Sequence, residues 1–379
     1  MKGVCGLEIE KNTLQGLISV KDKEKFKIVD EFFLPLTTSS LIEGIKENIE
    51  KIEKTLQEKE KKNSLTVDKI FLNLPYEEAS FKIVEDIFPL SWGKRLVTPK
   101  DIEKAKSYIE NIVLEWRKFL VHHIVLEYKV DGKSYFSLPS DLEAKNLKLK
   151  SFLVYIERKM YEEILEVFDN IERRFMGFVW EPFSSLSVDN FDFLSNSASI
   201  LMKENYTLCT GIRRGEIFIK KFSFGEKNIK KAIENKFFLS QEVADRLFNW
   251  YTYFGERCEN KKILIKEKEY IEISWQEFVS LIKEMVLLGI EEIIYFLREK
   301  MEEEKIKIVF LGKLAQKKYF FDFLKETFPF LEIVNFSQKV SCLSLYGCVK
   351  YGCLRYLERN RLEKKSLWQK LAEVYKDYF

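Results

Sequence analysis

Short apolar runs along the chain alternate with longer stretches in which apolar residues recur at helical spacing. That is the pattern of strands interleaved with helices that a layered α/β fold needs. Runs at residues 3–9, 14–20, 26–32, 69–74, 151–156, 216–222, 306–311 and 331–334 predict strands. In the polar segment Leu41 to Lys62, the spacing of Ile42, Ile45, Ile49 and Ile52 predicts a helix with one narrow buried stripe, and its tail QEKEKKNS reads as a solvated loop. The segment ISWQEFVSLIKEM and a long helix after it read as the outer part of a second lobe. Phe278 to Leu297 is the longest apolar helical stretch, but Lys283, Glu284, Glu291 and Glu292 interrupt it, which argues against a membrane span.

With 379 residues, 46% of them hydrophobic, the chain can bury substantial cores and is expected to form two lobes. Its 63 basic and 60 acidic residues leave a net charge of +3, so no global field recruits nucleic acid. Cys5, Cys209, Cys258, Cys342, Cys348 and Cys353 are scattered through mostly apolar segments without a CxxC pair, which predicts reduced core thiols and no metal site. The only histidines, His122 and His123, are adjacent in an expected helix-to-strand region and read as structural. No GxxxxGK[ST] or GxGxxG occurs, and the acidic pairs Glu77–Glu78 and Glu291–Glu292 read as solvated faces, so no catalytic residue is assigned. No secretory signal opens the chain, and a cytoplasmic body is expected.

Four segments in order resemble the nucleotide motifs of actin-like ATPases. Ala198 to Ile217, ASILMKENYTLCTGIRRGEI, lies without gaps on the second phosphate hairpin, with Leu201 at the position of its Asp and Lys203, Glu204 and Asn205 at its three glycines. Only Thr207, Gly215 and the alternating apolar positions remain. Gly6 to Val20, GLEIEKNTLQGLISV, is similar to the first phosphate hairpin, with Glu8 at the Asp position and Glu10 at a glycine. SQEVADRLF resembles the nucleotide-contacting helix, with Asp245 for its Glu and Phe248 for its Lys; Ile306 to Leu324 resembles the adenosine strand and turn, keeping Gly312. The resemblance implies an α/β, actin-like (RNase H-like) two-lobed fold. The nucleotide contacts it carries over are Glu8, Glu10, Lys11, Thr207, Asp245 and Gly312. A turn of side-chain-bearing residues, one of them anionic, suits a polyphosphate poorly. Glu8 retains a carboxylate for magnesium, so the implied cofactor is none or weakly bound ATP with magnesium, and hydrolysis is not expected.

Within that superfamily, LVTPKDIEKAKSYIEN (Leu96 to Asn111), YKVDGKSYFSLPSDLEAKNLKLKSFLVYI (Tyr128 to Ile156), GFVWEPFSSLSV (Gly177 to Val188) and IEEIIYFLREKM (Ile290 to Met301) resemble the cell-division family FtsA. The resemblance implies an SHS2-like extra subdomain at 83–156. A first-lobe core takes 1–82 with 157–190 and 333–357, a second lobe 191–332 with its outer part at about 245–300, and a linker plus helix 358–379. It further implies a scaffold that links an FtsZ-like tubulin homologue to the inner membrane, peripheral on its cytoplasmic face, and that self-associates through the extra subdomain. The matching FtsZ-facing region includes Trp250, Tyr251 and Tyr253, which read equally as core residues. The C-terminal SLWQKLAEVYKDYF places Leu367, Trp368, Leu371, Val374, Tyr375, Tyr378 and Phe379 on one helical face, either a membrane-surface helix or one folded onto the body. The resemblance implies the membrane. Alternatives are a working ATPase that regulates assembly, or a platform resembling the pilus-assembly family PilM, which binds a short peptide between the first lobe and its extra subdomain.

Overall fold

The computed structural model describes residues 2–22, 25–139, 141–189, 196–255, 262–266, 270–302, 305–334 and 342–363. Cys258 and the expected membrane-contacting residues Leu367, Trp368, Leu371, Val374, Tyr375, Tyr378 and Phe379 lie outside the described residues. The chain forms two compact units, one of Met1–Ser187 with Ser344–Phe379 and one of Val188–Leu343.

In the first unit, β1 (Lys2–Glu10), β2 (Thr13–Asp22) and β3 (Lys25–Pro35) form an antiparallel meander. Helix α1 (Leu41–Asn63) follows, capped by Ser40 and ended by Ser64 at φ 52°, and buries Ile45, Ile52 and Leu56. It leads back into β4 (Thr66–Leu74), parallel to β1. A second sheet is then built from β5 (Ser80–Pro89), with β6 (Arg95–Leu96), α2 (Pro99–Val113), β7 (Lys118–Val130), β8 (Lys133–Tyr135), β9 (Glu143–Ala144) and β10 (Asn146–Glu157) following in sequence. Its strand order is β5-β10-β7-β8, all antiparallel, and α2 packs on it over Ala105, Ile109, Leu147, Leu149 and Leu153. The chain returns through α3 (Arg158–Phe168), β11 (Arg174–Trp180) and α4 (Glu181–Leu186), completing a first sheet of order β11-β4-β1-β2-β3.

The second unit repeats that arrangement. Here β12 (Ser197–Met202), β13 (Thr207–Arg213) and β14 (Glu216–Phe222) form the meander, turned at Arg214–Gly215 with φ of 47° and 80°. Helices α5 (Glu226–Phe237) and α6 (Gln241–Tyr251), the ribbon β15 (Lys262–Lys266) and β16 (Tyr270–Ser274), and α7 (Trp275–Met301) follow. Then β17 (Ile306–Leu311), α8 (Phe320–Thr327) and β18 (Leu331–Ile333) extend the sheet in parallel to the order β14-β13-β12-β17-β18. The chain re-enters the first unit as α9 (Leu343–Glu363). Both sheets are thus a three-stranded meander with two parallel strands added beside its first strand.

The structure differs from the sequence-based expectation in four places. Residues 57–63, expected in a solvated loop, form the last turns of α1, where Leu56 just before them is buried and Glu60 is held by Arg173. The two helical segments expected between 273 and 301 are one continuous α7. Gly289, which invites a break, instead gives room to the Phe224 ring, whose nearest atom would be 2.1 Å from an added Cβ. His122 and His123 lie inside β7, not at a helix-to-strand junction. Of the outer aromatics, Trp250 is exposed, whereas Tyr251 and Tyr253 pack on Trp275. The thiols of Cys5, Cys209, Cys348 and Cys353 are buried, and burial pushes Cys5 up to about 12.

The start of α2 illustrates how local chemistry fixes an element. Thr98 and Asp101 form a reciprocal capping box, Pro99 occupies the first turn, and Arg95 meets the Asp101 carboxylate at 2.6 and 2.8 Å. Burial alone would raise this carboxyl, but hydrogen bonds from Arg95 and Thr98 outweigh it and lower it from 3.8 to about 2. Its stabilisation is therefore complete above about pH 4 and lost as the pH falls towards 2. Asp101→Asn is expected to cost about 2 kcal/mol at neutral pH and to flatten this part of the acid profile. Denaturant unfolding of both proteins from neutral to acidic pH measures it, and parallel acid profiles would contradict it.

Candidate functional site

In the first unit the hairpin β1–β2 turns at Lys11, held at φ 55°. Glu10 accepts from the Gln15 amide at 3.0 Å. Glu8 is buried and accepts from the Ser344 hydroxyl of α9 at 2.7 Å. This contact is possible because α9 lies close on β1, where an added Cβ on Gly6 would stand 2.9 Å from Val349. Beside Glu8, at the C-terminal ends of β4 and β11, sit two further buried polar residues. Asn73 is fully buried, and neither of its amide atoms has a hydrogen-bond partner among the described residues. Glu181 opens α4 and accepts from the Tyr76 N–H at 3.2 Å. The neighbouring Trp180 N–H donates to His122 Nε2 at 2.9 Å. Burial, with the nearby charge of Arg355, holds His122 well below its usual range, so it stays neutral and accepts. Sequence reasoning missed Asn73 and Glu181; the available signal was an acidic residue immediately before Pro182, at the end of the apolar run FVW.

In the second unit the hairpin β12–β13 closes with Met202 opposite Thr207 and the Lys203 N–H donating to the Tyr206 carbonyl at 2.8 Å. Two carbonyls of its turn face the start of α5. The Glu226 N–H donates to the Lys203 carbonyl at 3.0 Å and the Lys227 N–H to the Glu204 carbonyl at 2.8 Å. Those helix N–H groups are the ones an anion would use. The approach is so close that a Cβ on Gly225 would lie 2.5 Å from the Glu204 oxygen and 2.7 Å from that of Lys203. Gly312, at φ 109°, likewise approaches the protein's own backbone, its Cβ position being 2.3 Å from the Met202 oxygen. Thr207 donates its hydroxyl to the Phe224 carbonyl at 2.7 Å.

An ion-pair cluster joins these elements. The Lys230 ammonium, nearly buried, lies 3.0 Å from both Glu204 oxygens, 2.9 Å from Asp245 of α6 and 3.9 Å from Glu226. Lys313, just past β17, is 3.7 Å from Glu226. Burial opposes the charge on Lys230, but hydrogen bonds with Asp245 and Glu204 outweigh it and raise its pKa. Phe248, on the next turn of α6, is fully buried and has the Lys230 ammonium 5.4 Å and that of Lys317 5.8 Å from its ring centre. The structure thus brings Asp245 together with the hairpin turn through Lys230, a residue that sequence reasoning did not single out. Among the described residues, no group of three or more His, Cys, Asp or Glu side chains is placed to hold a metal ion.

Two units that each carry a three-stranded meander extended by parallel strands give the chain the actin-like ATPase fold. No family model matches the sequence, and no curated protein matches it. Among solved structures it is similar to the PilM–PilN type IV pilus biogenesis complex, at 13% identity over 92% of this chain and 98% of that one, with a TM-score of 0.58. It is also similar to diol dehydratase-reactivating factor in nucleotide-free form, at 8% identity over 95% and 100% of the two chains, TM-score 0.51. A further similar structure is MreB 5 of Spiroplasma citri bound to AMPPNP, at 9% identity over 96% and 99%, TM-score 0.48. At such identities the likeness is one of fold.

Proposed function

We propose that this chain is a non-hydrolysing, actin-like scaffold for a protein assembly. The observation that supports it is the Lys230 cluster: the turn resembling a phosphate hairpin is bound by the protein's own ammonium and by the amides of α5. Leu201, buried where the resemblance places an Asp, offers no group to orient magnesium or water. In its finer form the reading is FtsA-like. An extra subdomain at 83–156 stands beside a first-lobe core, the second lobe faces an FtsZ-type polymer, and residues 366–379 hold the chain to the inner membrane as a peripheral protein. Among the described residues, no helix is long and apolar enough to cross a membrane.

Calorimetric titration with ATP and ADP in the presence of magnesium tests the scaffold reading. No binding is expected up to about 1 mM nucleotide; micromolar binding would sink it and make a regulated ATPase the leading function. The second reading is a pilus platform, supported by the near-complete mutual coverage with the PilM–PilN structure. Removing residues 366–379 and measuring vesicle binding separates the two, since an FtsA-like anchor loses binding and a pilus platform does not.

A further inference from the structure

We propose that β5 is a self-pairing edge, through which two copies of this chain join their four-stranded sheets in antiparallel register about a two-fold axis at Val84. Among the described residues β5 has a partner, β10, on one side only. Long exposed edges are usually blunted, because unpaired N–H and C=O groups template a further strand. This one is ten residues long and carries Phe81, Ile83 and Ile87, which are 40%, 48% and 51% exposed, on one face.

The backbone shows which groups face outward. The Ile87 N–H donates to its neighbour's carboxylate, Asp86 Oδ1, at 2.7 Å, so it is satisfied by a side chain and not by a strand. With the two-residue alternation of an antiparallel ladder, the N–H and C=O groups of Phe81, Ile83 and Glu85 point the same way. An incoming strand therefore bonds to the odd-numbered residues.

Side chains then select the register. With Val84 opposite Val84 of the second copy, Phe81 faces Ile87 and Lys82 faces Asp86, and the symmetry makes each of these pairs twice. Lys82 and Asp86 occupy the non-hydrogen-bonded positions, where side chains come closest. The Ile87 N–H passes to the Phe81 carbonyl of the second copy, and Asp86, released from it, meets Lys82. A shift that instead centres on Glu85 sets two like charges opposite one another and loses the ion pairs. In the chosen register Glu85 meets Ile83, and its charge is already held by Lys129 and Lys148, at 2.9 and 3.0 Å. The proposal concerns β5 alone, and its outcome is independent of whether the second unit takes a nucleotide.

Sedimentation of the intact chain over a range of concentrations tests it. A reversible dimer is expected. Lys82→Glu should weaken it about tenfold, and the double variant K82E/D86K should restore it. Val84→Cys should give a covalent dimer on mild oxidation while Ile87→Cys does not, and circular dichroism checks that each variant is folded. A chain that stays monomeric, a dimer indifferent to Lys82→Glu, a double variant that fails to recover, or a monomer whose β5 takes up an unrelated extended peptide would each overturn the proposal.

Discussion

Replacing Lys230 with methionine should destabilise the second unit by about 3 kcal/mol, the lower end of the cost of removing one partner from a buried ion cluster. The lower end applies because Asp245 is partly exposed and can regain water. Methionine keeps most of the side-chain volume, so the loss reports charge and not a cavity. What remains is Glu204, Glu226 and Asp245 converging without their ammonium. Thermal unfolding should move down by roughly 10 °C, at about 2–4 °C per kcal/mol for a unit of this size. Hydrogen exchange should show the loss confined to the hairpin turn, α5 and α6. Protection unchanged there would mean that the cluster holds nothing together.

An equal or larger loss is expected in the first unit for Arg173→Met. Arg173 lies just before β11 and is buried. Its guanidinium meets Glu53 at 2.8 and 3.0 Å and Glu60 at 2.6 and 3.1 Å, both on α1, and donates to the Val67 carbonyl of β4. Burial disfavours its charge, but the hydrogen bonds to Glu60 and Glu53 outweigh that and raise its pKa further. The same guanidinium, with the Val67 N–H, lowers Glu60. One planar fork thus ties a helix to two strands, and its removal leaves two carboxylates short of a partner at a cost of about 3–5 kcal/mol. Lysine should recover little, because a single ammonium cannot satisfy both carboxylates and the carbonyl at once. Denaturant unfolding of Arg173→Met and Arg173→Lys measures this, and a lysine variant as stable as the parent would refute the bidentate account.

Both predictions rest on contacts that could not be read along the chain. The strands at 14–20, 69–74 and 306–311 announce themselves because apolar runs in parallel or central positions are buried on both faces. The helix at 41–62 does so through its isoleucine spacing. By contrast β5, with the sequence SFKIVEDIFP, alternates only loosely because its outer edge stays exposed, and β7 hides two histidines in an otherwise apolar strand. The hairpin turn and its missing glycines are legible along the chain, whereas the contacts of Lys230 and Arg173 are not, because Lys230 is 26 residues from Glu204 and Arg173 is 120 from Glu53. With 63 basic and 60 acidic residues available, only the fold decides which of them meet.

The seating of the Lys203 and Glu204 carbonyls on the start of α5 makes the present arrangement a one-way valve in sequence space. Substituting glycine at 203, 204 or 205 singly would dissolve the Lys230 pairing or loosen the turn before any amide turned outward to meet a phosphate. Each first step therefore costs stability with no gain in binding. An engineer seeking polyphosphate affinity would have to change the turn, Lys230 and the start of α5 together.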